Sequence, residues 1–273
     1  MSENDCLVNV PWETRNLGIQ SFALGEHFLE KYDEGVLRDS LQKKIQEHGM
    51  IFVQARLGKY LPVAPTIERN GFYFVESTLV PYTPLRKNPK LAEFVRDRRS
   101  FVPSRYDTAD LVFSLMDKGN RDDCRKIREI AAESFSDDRF HIDGSCSKEV
   151  ADRRFVFWVD DLLDDDSVIF NILECLGDAA GFMARRGDNL ILAGFARQFV
   201  NSGLGEYLWF AVLHDMQEEG IVQVRTLISC NNTPVLNLYV RMGFKFKDPA
   251  ATFHYWSNAC DYRFHASKSG IKA

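Results

Sequence analysis

Two segments of this 273-residue chain place residue types at spacings that could do chemistry. In the first, the strand-like run from Phe195 passes through Asn201-Ser202-Gly203 into Leu204-Gly205. A helix follows, with apolar positions Leu204, Leu208, Ala211, Val212 and Met216. Small residues at such a junction let backbone approach a ligand. The first-turn N–H groups lack intrahelical partners, and the helix dipole adds partial positive charge. That is a phosphate cradle needing no basic side chain. The same pattern also serves as ordinary helix capping, and it contains neither the full GxGxxG dinucleotide pattern nor the GK[ST] of a P-loop.

The second segment runs from Asn231-Asn232-Thr233-Pro234-Val235 to Tyr239-Val240-Arg241-Met242-Gly243-Phe244. Thr233 can N-cap a helix with Pro234 at its first position, and Gly243 closes it. Asn232 then sits at the helix mouth and Tyr239 two turns along. At helical spacing from Val235 and Met242, a tyrosine is by default a core residue with a satisfied hydroxyl.

The elements that position these segments follow from periodicity. Residues 17–24 and 50–55 read as strands separated by a helical stretch at 34–48. Residues 81–107, which hold Pro81, Pro84, Pro89 and Pro103, read as a connection. Beyond it come a strand at 111–116 and helices at 122–135 and 148–163. Three strands at 167–175, 179–185 and 189–200 follow, with turn-like breaks that predict an antiparallel meander. A helix at 203–219, a strand at 222–229, a helix at 234–242 and strands at 244–247 and 252–256 complete the chain. The order βααβββαβαββ describes an α/β sandwich with a mixed sheet. Residues 67–74 also echo residues 239–246, aligning Gly71 with Gly243 as caps between a helix and a strand that opens with Phe.

Composition narrows the function classes. With 34 basic and 39 acidic residues the net charge is −5, which argues against a protein built to hold nucleic-acid backbone. No apolar stretch reaches membrane-spanning length, and the N-terminus lacks the regions of a signal peptide, so the expectation is a soluble, cytoplasmic protein. Cys6, Cys124, Cys146, Cys175, Cys230 and Cys260 are scattered without a CxxC pair, which predicts reduced, packed thiols rather than disulfides or zinc. The acidic run at 160–166 reads as a solvated helix end.

Taken together, the Gly-x-Gly turn and the later N-x-x-V-x-x-L-Y-x-x-x-G-F pattern resemble the GNAT superfamily of acyl-CoA-dependent N-acyltransferases. Residues 111–257 show that family's element order. The resemblance implies that acetyl-CoA is the co-substrate and that no metal is needed. Backbone groups of Ala193, Gly194 and Phe195 would bind the pantetheine arm. The amides of Asn201, Ser202, Gly203, Leu204 and Gly205 would hold the pyrophosphate, Asn232 would contact the cofactor arm, and Tyr239 would protonate the leaving thiolate. The family usually carries Arg or Gln three residues before the first turn glycine. Val200 stands there instead, with Arg197 and Gln198 as candidates to compensate.

A narrower resemblance covers nearly the whole chain. The Pro11-Trp12-Glu13-Thr14-Arg15-Asn16-Leu17-Gly18 opening, Arg139-Phe140-His141-Ile142-Asp143, and Ala151-Asp152-Arg153-Arg154-Phe155-x-x-Trp158 are similar to the bacterial TDP-fucosamine acetyltransferase group. It implies a truncated GNAT-like N-terminal domain with connector over residues 1–100 and a GNAT catalytic domain over 101–273. It also implies a nucleotide-linked deoxyamino sugar as acceptor, met by Arg139 and His141, and a homodimer joined through C-terminal strands. The base stays open among His141, Asp143, Asp137, Asp138 and water. Two further readings stay open: another amine acceptor (an amino acid, polyamine or protein N-terminus), or a non-catalytic acyl-CoA-binding module.

Overall fold

A computed structural model describes residues 6–135 and 138–257, so Asp137 and Cys260 lie outside the described residues. Strand β1 (Leu7–Asn9) leads into helix α1 (Pro11–Leu17), which starts on Pro11 and closes at Gly18 with φ 72°. The expected strand at 17–24 is therefore a helix end followed by β2 (Gln20–Leu24). Then come α2 (Glu26–Glu30) and α3 (Glu34–His48), whose first turn is capped by Asp33 accepting from the Val36 amide. Next are β3 (Ile51–Leu57), α4 (Ala64–Arg69), β4 (Tyr73–Pro84) and α5 (Pro89–Arg96). Much of the expected connection is thus ordered structure. Pro81 and Pro84 lie within β4, and the Pro81 carbonyl accepts from the Thr226 amide at 3.0 Å.

The second half begins with β5 (Leu111–Leu115), α6 (Arg121–Ser134) and α7 (Lys148–Asp164). The expected meander follows as β6 (Ile169–Cys175), β7 (Asp178–Arg186) and β8 (Asn189–Phe195). Strand β8 stops at Phe195 rather than Val200, because the chain turns through a 3-10 segment at Arg197–Phe199. Then come α8 (Leu204–Glu218), β9 (Gln223–Arg225), β10 (Ile228–Ser229), α9 (Thr233–Arg241) and β11 (Lys245–Trp256). The two expected final strands are one strand with an irregularity between Lys247 and Ala250, where Asp248 takes φ 51°.

These strands form one mixed sheet in the order β1-β2-β3-β11-β4-β9-β8-β7-β6-β5, with β10 beside β4. Its centre is the antiparallel pair β4 and β11, in which Tyr73 opposes His254 and Tyr82 opposes Lys245. Strand β11 sits between β3 and β4, and β4 sits between β11 and β9. Each half of the chain thereby sends its long strand into the other half's sheet. The echoed segments are the junctions feeding these strands: α4 reaches β4 through Gly71 at φ 90°, and α9 reaches β11 through Gly243 at φ 77°.

Helices cover both faces. On one, Leu37, Leu41 and Ile67 pack on Val53, Ala55 and Phe253, while α8 and α9 pack with Met183, Leu190 and Val224. On the other, α7 spans both halves: Val150 and Ala151 join Phe52 and Trp256, and Phe155 and Val159 join Phe170 and Phe182. The acidic run at 160–166 is more than a solvated end, because Asp161 accepts from Trp12 Nε1 at 2.6 Å and Arg15 Nη1 at 2.9 Å and so docks α1. The free cysteines among the described residues include Cys6, Cys124 and Cys175, all buried. No helix among the described residues is long and apolar enough to cross a membrane.

Strand β8 needs a thin neighbour. A Cβ at Gly181 would lie 2.8 Å from the Gly194 carbonyl oxygen and 2.9 Å from the Phe195 ring. Gly181→Ala is therefore expected to destabilise the chain by about 1–3 kcal/mol in urea denaturation; an unchanged midpoint contradicts this packing.

Candidate functional site

Strands β8 and β9 run parallel yet share a single register pair, Asn189 with Arg225. Past that pair they diverge. The opening holds a cavity of about 130 Å³ lined by Met183, Leu192, Ala193, Trp209, Asn232 and Tyr239, among others. Backbone alternation decides which groups of β8 face it. The Ala196 amide donates to the Ala180 carbonyl at 2.9 Å, so the Gly194 groups belong to the ladder with β7. Those of Ala193 and Phe195 turn away from β7, toward the opening. Gly194 answers a packing need instead, since a Cβ there would sit 3.0 Å from Ser134 Oγ and 3.1 Å from Ile130. Ser134 Oγ shares its proton between the Ile130 carbonyl at 2.5 Å and the Phe195 carbonyl at 2.9 Å, and the Phe195 N–H is the donor β8 presents at its end.

Tyr239 closes the floor of the opening, with only 4% of its surface exposed. Its ring meets Trp209 edge-on at 6.3 Å and lies 4.8 Å from Phe244. Burial pushes the phenol up to about 12, against the opposing pull of Trp209 and Thr226. Trp209 Nε1 is buried without a well-formed hydrogen-bond partner. The acceptor closest to that donor is the Tyr239 hydroxyl itself, which Trp209 and Thr226 approach from two sides and so hold in place at the floor. Asn232, not Thr233, is the N-cap of α9, its Oδ1 accepting from the Val235 amide at 3.2 Å. Asn reaches back to the third amide of the turn from one residue earlier, and any ligand contact then falls to its Nδ2.

The turn before α8 is partly committed. Asn201 and Gly203 take φ 59° and 84°, and Ser202 Oγ accepts from the Leu204 amide at 3.2 Å. By helix geometry the Gly205 and Glu206 amides have no intrahelical acceptor. A Cβ at Gly203 would lie 2.9 Å from Pro103, so glycine here answers both the left-handed conformation and a packed neighbour. Val200 is exposed. Arg197 and Gln198 are exposed as well, but they line a different cavity, against Lys126 and Glu133 of α6. The basic side chain at the turn is Arg105, whose Nη2 donates to the Asn201 carbonyl at 3.3 Å. Lys90 and Arg241 line a further cavity beside Gly203. The first-turn amides together with these cations fit a pyrophosphate. Neither Trp209 nor Arg105 had a local sequence signal: one reads as helix core, the other belongs to a connection far upstream.

The residues expected to meet the acceptor separate. Arg139 lines a groove of about 880 Å³ with Gln54, Arg56 and Thr252, and donates through Nη2 to Glu13 at 2.7 Å. Arg154 bonds the same Glu13 at 3.2 and 3.3 Å. His141 is held between Asp138 and Asp152, so it acts as a clamp in the loop. Asp143 is buried and saturated. It accepts from Tyr73 Oη at 2.7 Å, His254 Nδ1 at 2.7 Å, Trp256 Nε1 at 2.9 Å and the Ser145 amide at 2.9 Å. A carboxylate so occupied has no lone pair directed at a substrate.

No protein-family model matches the chain, and no curated protein matches it. Solved structures do. A GCN5-related N-acetyltransferase from Sphaerobacter thermophilus is 15% identical over 89% of this chain and 74% of its own, with TM-score 0.58. A tandem GNAT protein of the clavulanic acid biosynthesis pathway, solved without AcCoA, is 11% identical over 86% and 75%, with TM-score 0.55. A GCN5-related N-acetyltransferase from Kribbella flavida is 10% identical over 86% and 81%, with TM-score 0.51. The chain thus has the GNAT-like mixed α/β fold.

Two buried histidines give the structure opposite responses to pH. Burial holds His254 below its ordinary value despite its bond to Asp143. Burial would also lower His141, but Asp138 and Asp152 more than reverse this and raise it. Below about pH 6.5 the unfolded chain binds a proton that folded His254 refuses, so stability falls on acidification. Above about pH 6.5 the unfolded chain releases a proton that folded His141 keeps, so stability falls again as pH rises through the folded value. Thermal unfolding between about pH 5 and 8 should therefore peak near about 6.5, and His141→Asn should lose the alkaline fall. A Tm rising steadily to pH 8 contradicts the assignment.

Proposed function

We propose that the chain is an acyl-CoA-dependent N-acyltransferase that moves an acetyl group from acetyl-CoA to a primary amine. The observation that carries this reading is the single-pair contact of β8 with β9, which opens a cavity floored by the Tyr239 phenol with Trp209 beside it. Acyl transfer from a thioester needs a deprotonated amine, a donor for the developing oxyanion and an acid for the leaving thiolate. The Phe195 N–H suits the second role. Tyr239 suits the third, because a phenol raised to about 12 stays protonated across the range in which amines are acylated. The Gly205 and Glu206 amides with Arg105 would hold the pyrophosphate, with Ala193 and Asn232 along the arm.

The acceptor we propose first is the amino group of a nucleotide-linked deoxyamino sugar, on the strength of the motifs around Pro11, Arg139 and Ala151. In the same reading residues 1–100 are a truncated GNAT-like unit and residues 101–273 the catalytic one. The matched order of helix, left-handed glycine and long strand around Gly71 and Gly243 supports this. The N-terminal copy has Ile67 where Tyr239 stands, so it lacks the acid.

A second reading, an acyl-CoA-binding module without turnover, draws on the turn itself. Ser202 already occupies the Leu204 amide, Pro103 packs on Gly203, and Val200 offers no polar side chain. Thiol release from acetyl-CoA with amino-sugar nucleotides, amino acids and polyamines separates the two. Tyr239→Phe is expected to lower kcat by about 10²–10⁴-fold while acetyl-CoA affinity changes little. An unchanged kcat returns Tyr239 to the core, and binding without any turnover selects the module.

A further inference from the structure

Among the described residues the sheet has two parallel pairs, β8 with β9 and β2 with β3, one in each half. In both halves the second strand of the pair leads, through a helix and a left-handed glycine, to a long central strand. Strand β3 is thus the counterpart of β9, and β2 of β8. Strands β2 and β3 pair from Gln20 with Ile51 to Ala23 with Gln54. They then part, as β2 ends at Leu24 and Gly25 turns into α2. The groove of about 880 Å³ lies at that parting, with Ala23 and Leu24 lining it from one strand and Gln54 and Arg56 from the other. The carboxyl ends of adjacent parallel strands are where open α/β sheets take their ligands.

The groove has the place of the opening between β8 and β9 without its chemistry. Helix α3, the counterpart of α8, is capped by Asp33 and carries Glu34 in its first turn, and α2 begins with Glu26. Carboxylates there repel a pyrophosphate, and Ile67 stands where the second half has Tyr239. What the groove offers is charge of both signs. Of its charged residues, Lys59 pairs with Glu30 at 3.8 Å, Asp248 with Lys247 at 3.6 Å and Arg139 with Glu13 at 2.7 Å. Arg56 and Glu26 line it too, and neither has an ion pair among the described residues. The Arg56 guanidinium makes a long bond to Thr78 Oγ1 at 3.4 Å and has donors left to offer.

We propose that this groove is a second ligand site, for a zwitterionic amino acid that is bound there and not acetylated. Arg56 takes the carboxylate on its planar fork of donors, and Glu26 takes the ammonium. Arg56 lies on β3 and Glu26 just past the end of β2, neighbouring strands roughly 5 Å apart, so one small molecule meets both. Leu24 and Leu29 give its side chain apolar surface. A simple anion is opposed by Glu26 and Asp248, and a simple amine by Arg56, Lys59 and Arg139. The sheet order β2-β3-β11-β4-β9 puts four strand spacings, roughly 19 Å, between β2 and the strand flanking the Tyr239 cavity. An ammonium held at Glu26 is therefore out of reach of a thioester in that cavity, and this ligand is distinct from the acceptor amine.

The test is isothermal titration of the full chain with each of the common L-amino acids. The best binder is then compared with its amine alone and its acid alone, which for leucine are 3-methylbutylamine and 4-methylpentanoate. At least one amino acid should bind one-to-one with a Kd below about 1 mM, and its amine and acid at least about tenfold more weakly. Arg56 and Glu26 are exposed, so their substitution leaves the core intact. Arg56→Met and Glu26→Gln should each weaken binding at least about tenfold, while Tyr239→Phe leaves it unchanged. After incubation of the chain with acetyl-CoA and the amino acid, the amino acid should be recovered unmodified. No binding of any amino acid overturns the site, as does equal binding of the amine or the acid alone. A Kd unmoved by either groove substitution overturns it as well, and so does recovery of the N-acetyl amino acid.

Discussion

The antiparallel pairing of β4 with β11 is the constraint on which the rest of the molecule depends. Each strand is 12 residues long and is paired on both sides, β11 by β3 and β4, β4 by β11 and by β9 and β10. Neither half can keep a continuous sheet without the other's strand. Most of the backbone pairing in the middle of the sheet therefore crosses the boundary between halves, interrupted by register shifts at Lys247/Ala250 and Thr252/Phe253. This has a structural consequence: β9, which flanks the opening, is itself held in the sheet by β4, a strand of the N-terminal half. Arg56 and Thr252 line one groove because the strands interleave.

The polar face of this shared region must be covered, and an irregular loop covers it. Residues 138–147 hold little regular structure, yet Asp143 draws Tyr73, His254 and Trp256 onto one carboxylate. Glu13 ties Arg139 of the loop and Arg154 of α7 to α1. Such buried ionic groups add little net stability compared with apolar packing, but removing one partner is costly. Their effect is to fix where the loop lies, and so to keep Arg139 at the groove while His141 is locked away between two aspartates.

What could be read from the sequence was local. The meander β6–β7–β8 and helices α8 and α9 followed from periodicity and turn chemistry that operate within a few residues. The echo around Gly71 and Gly243 pointed to two matched junctions, though not to the exchange of the strands they feed. Residues 17–24 misled because Pro11 and Gly18 frame a helix just before the apolar run. The prolines of 81–107 suggested a connection, whereas Pro81 is a strand residue held by Thr226. At the site, Tyr239 and Asn232 stood out by motif. Trp209 and Arg105 did not, because their place beside the opening and the turn comes from neighbours brought together by the fold. Gly194 stood out by the same motif, and the structure adds a packing reason for glycine there, since a Cβ would meet Ser134 and Ile130.

The central claim is that acyl-CoA enters between β8 and β9 with its phosphates against the first turn of α8. Amide hydrogen exchange with and without acetyl-CoA addresses it directly, because the groups at stake are backbone N–H groups. The account predicts slower exchange at Ala193, Phe195, Gly205 and Glu206, with little change at Leu204, whose amide Ser202 already bonds. Binding that leaves Phe195 and the first turn of α8 unprotected, with protection elsewhere in the sheet, would contradict it.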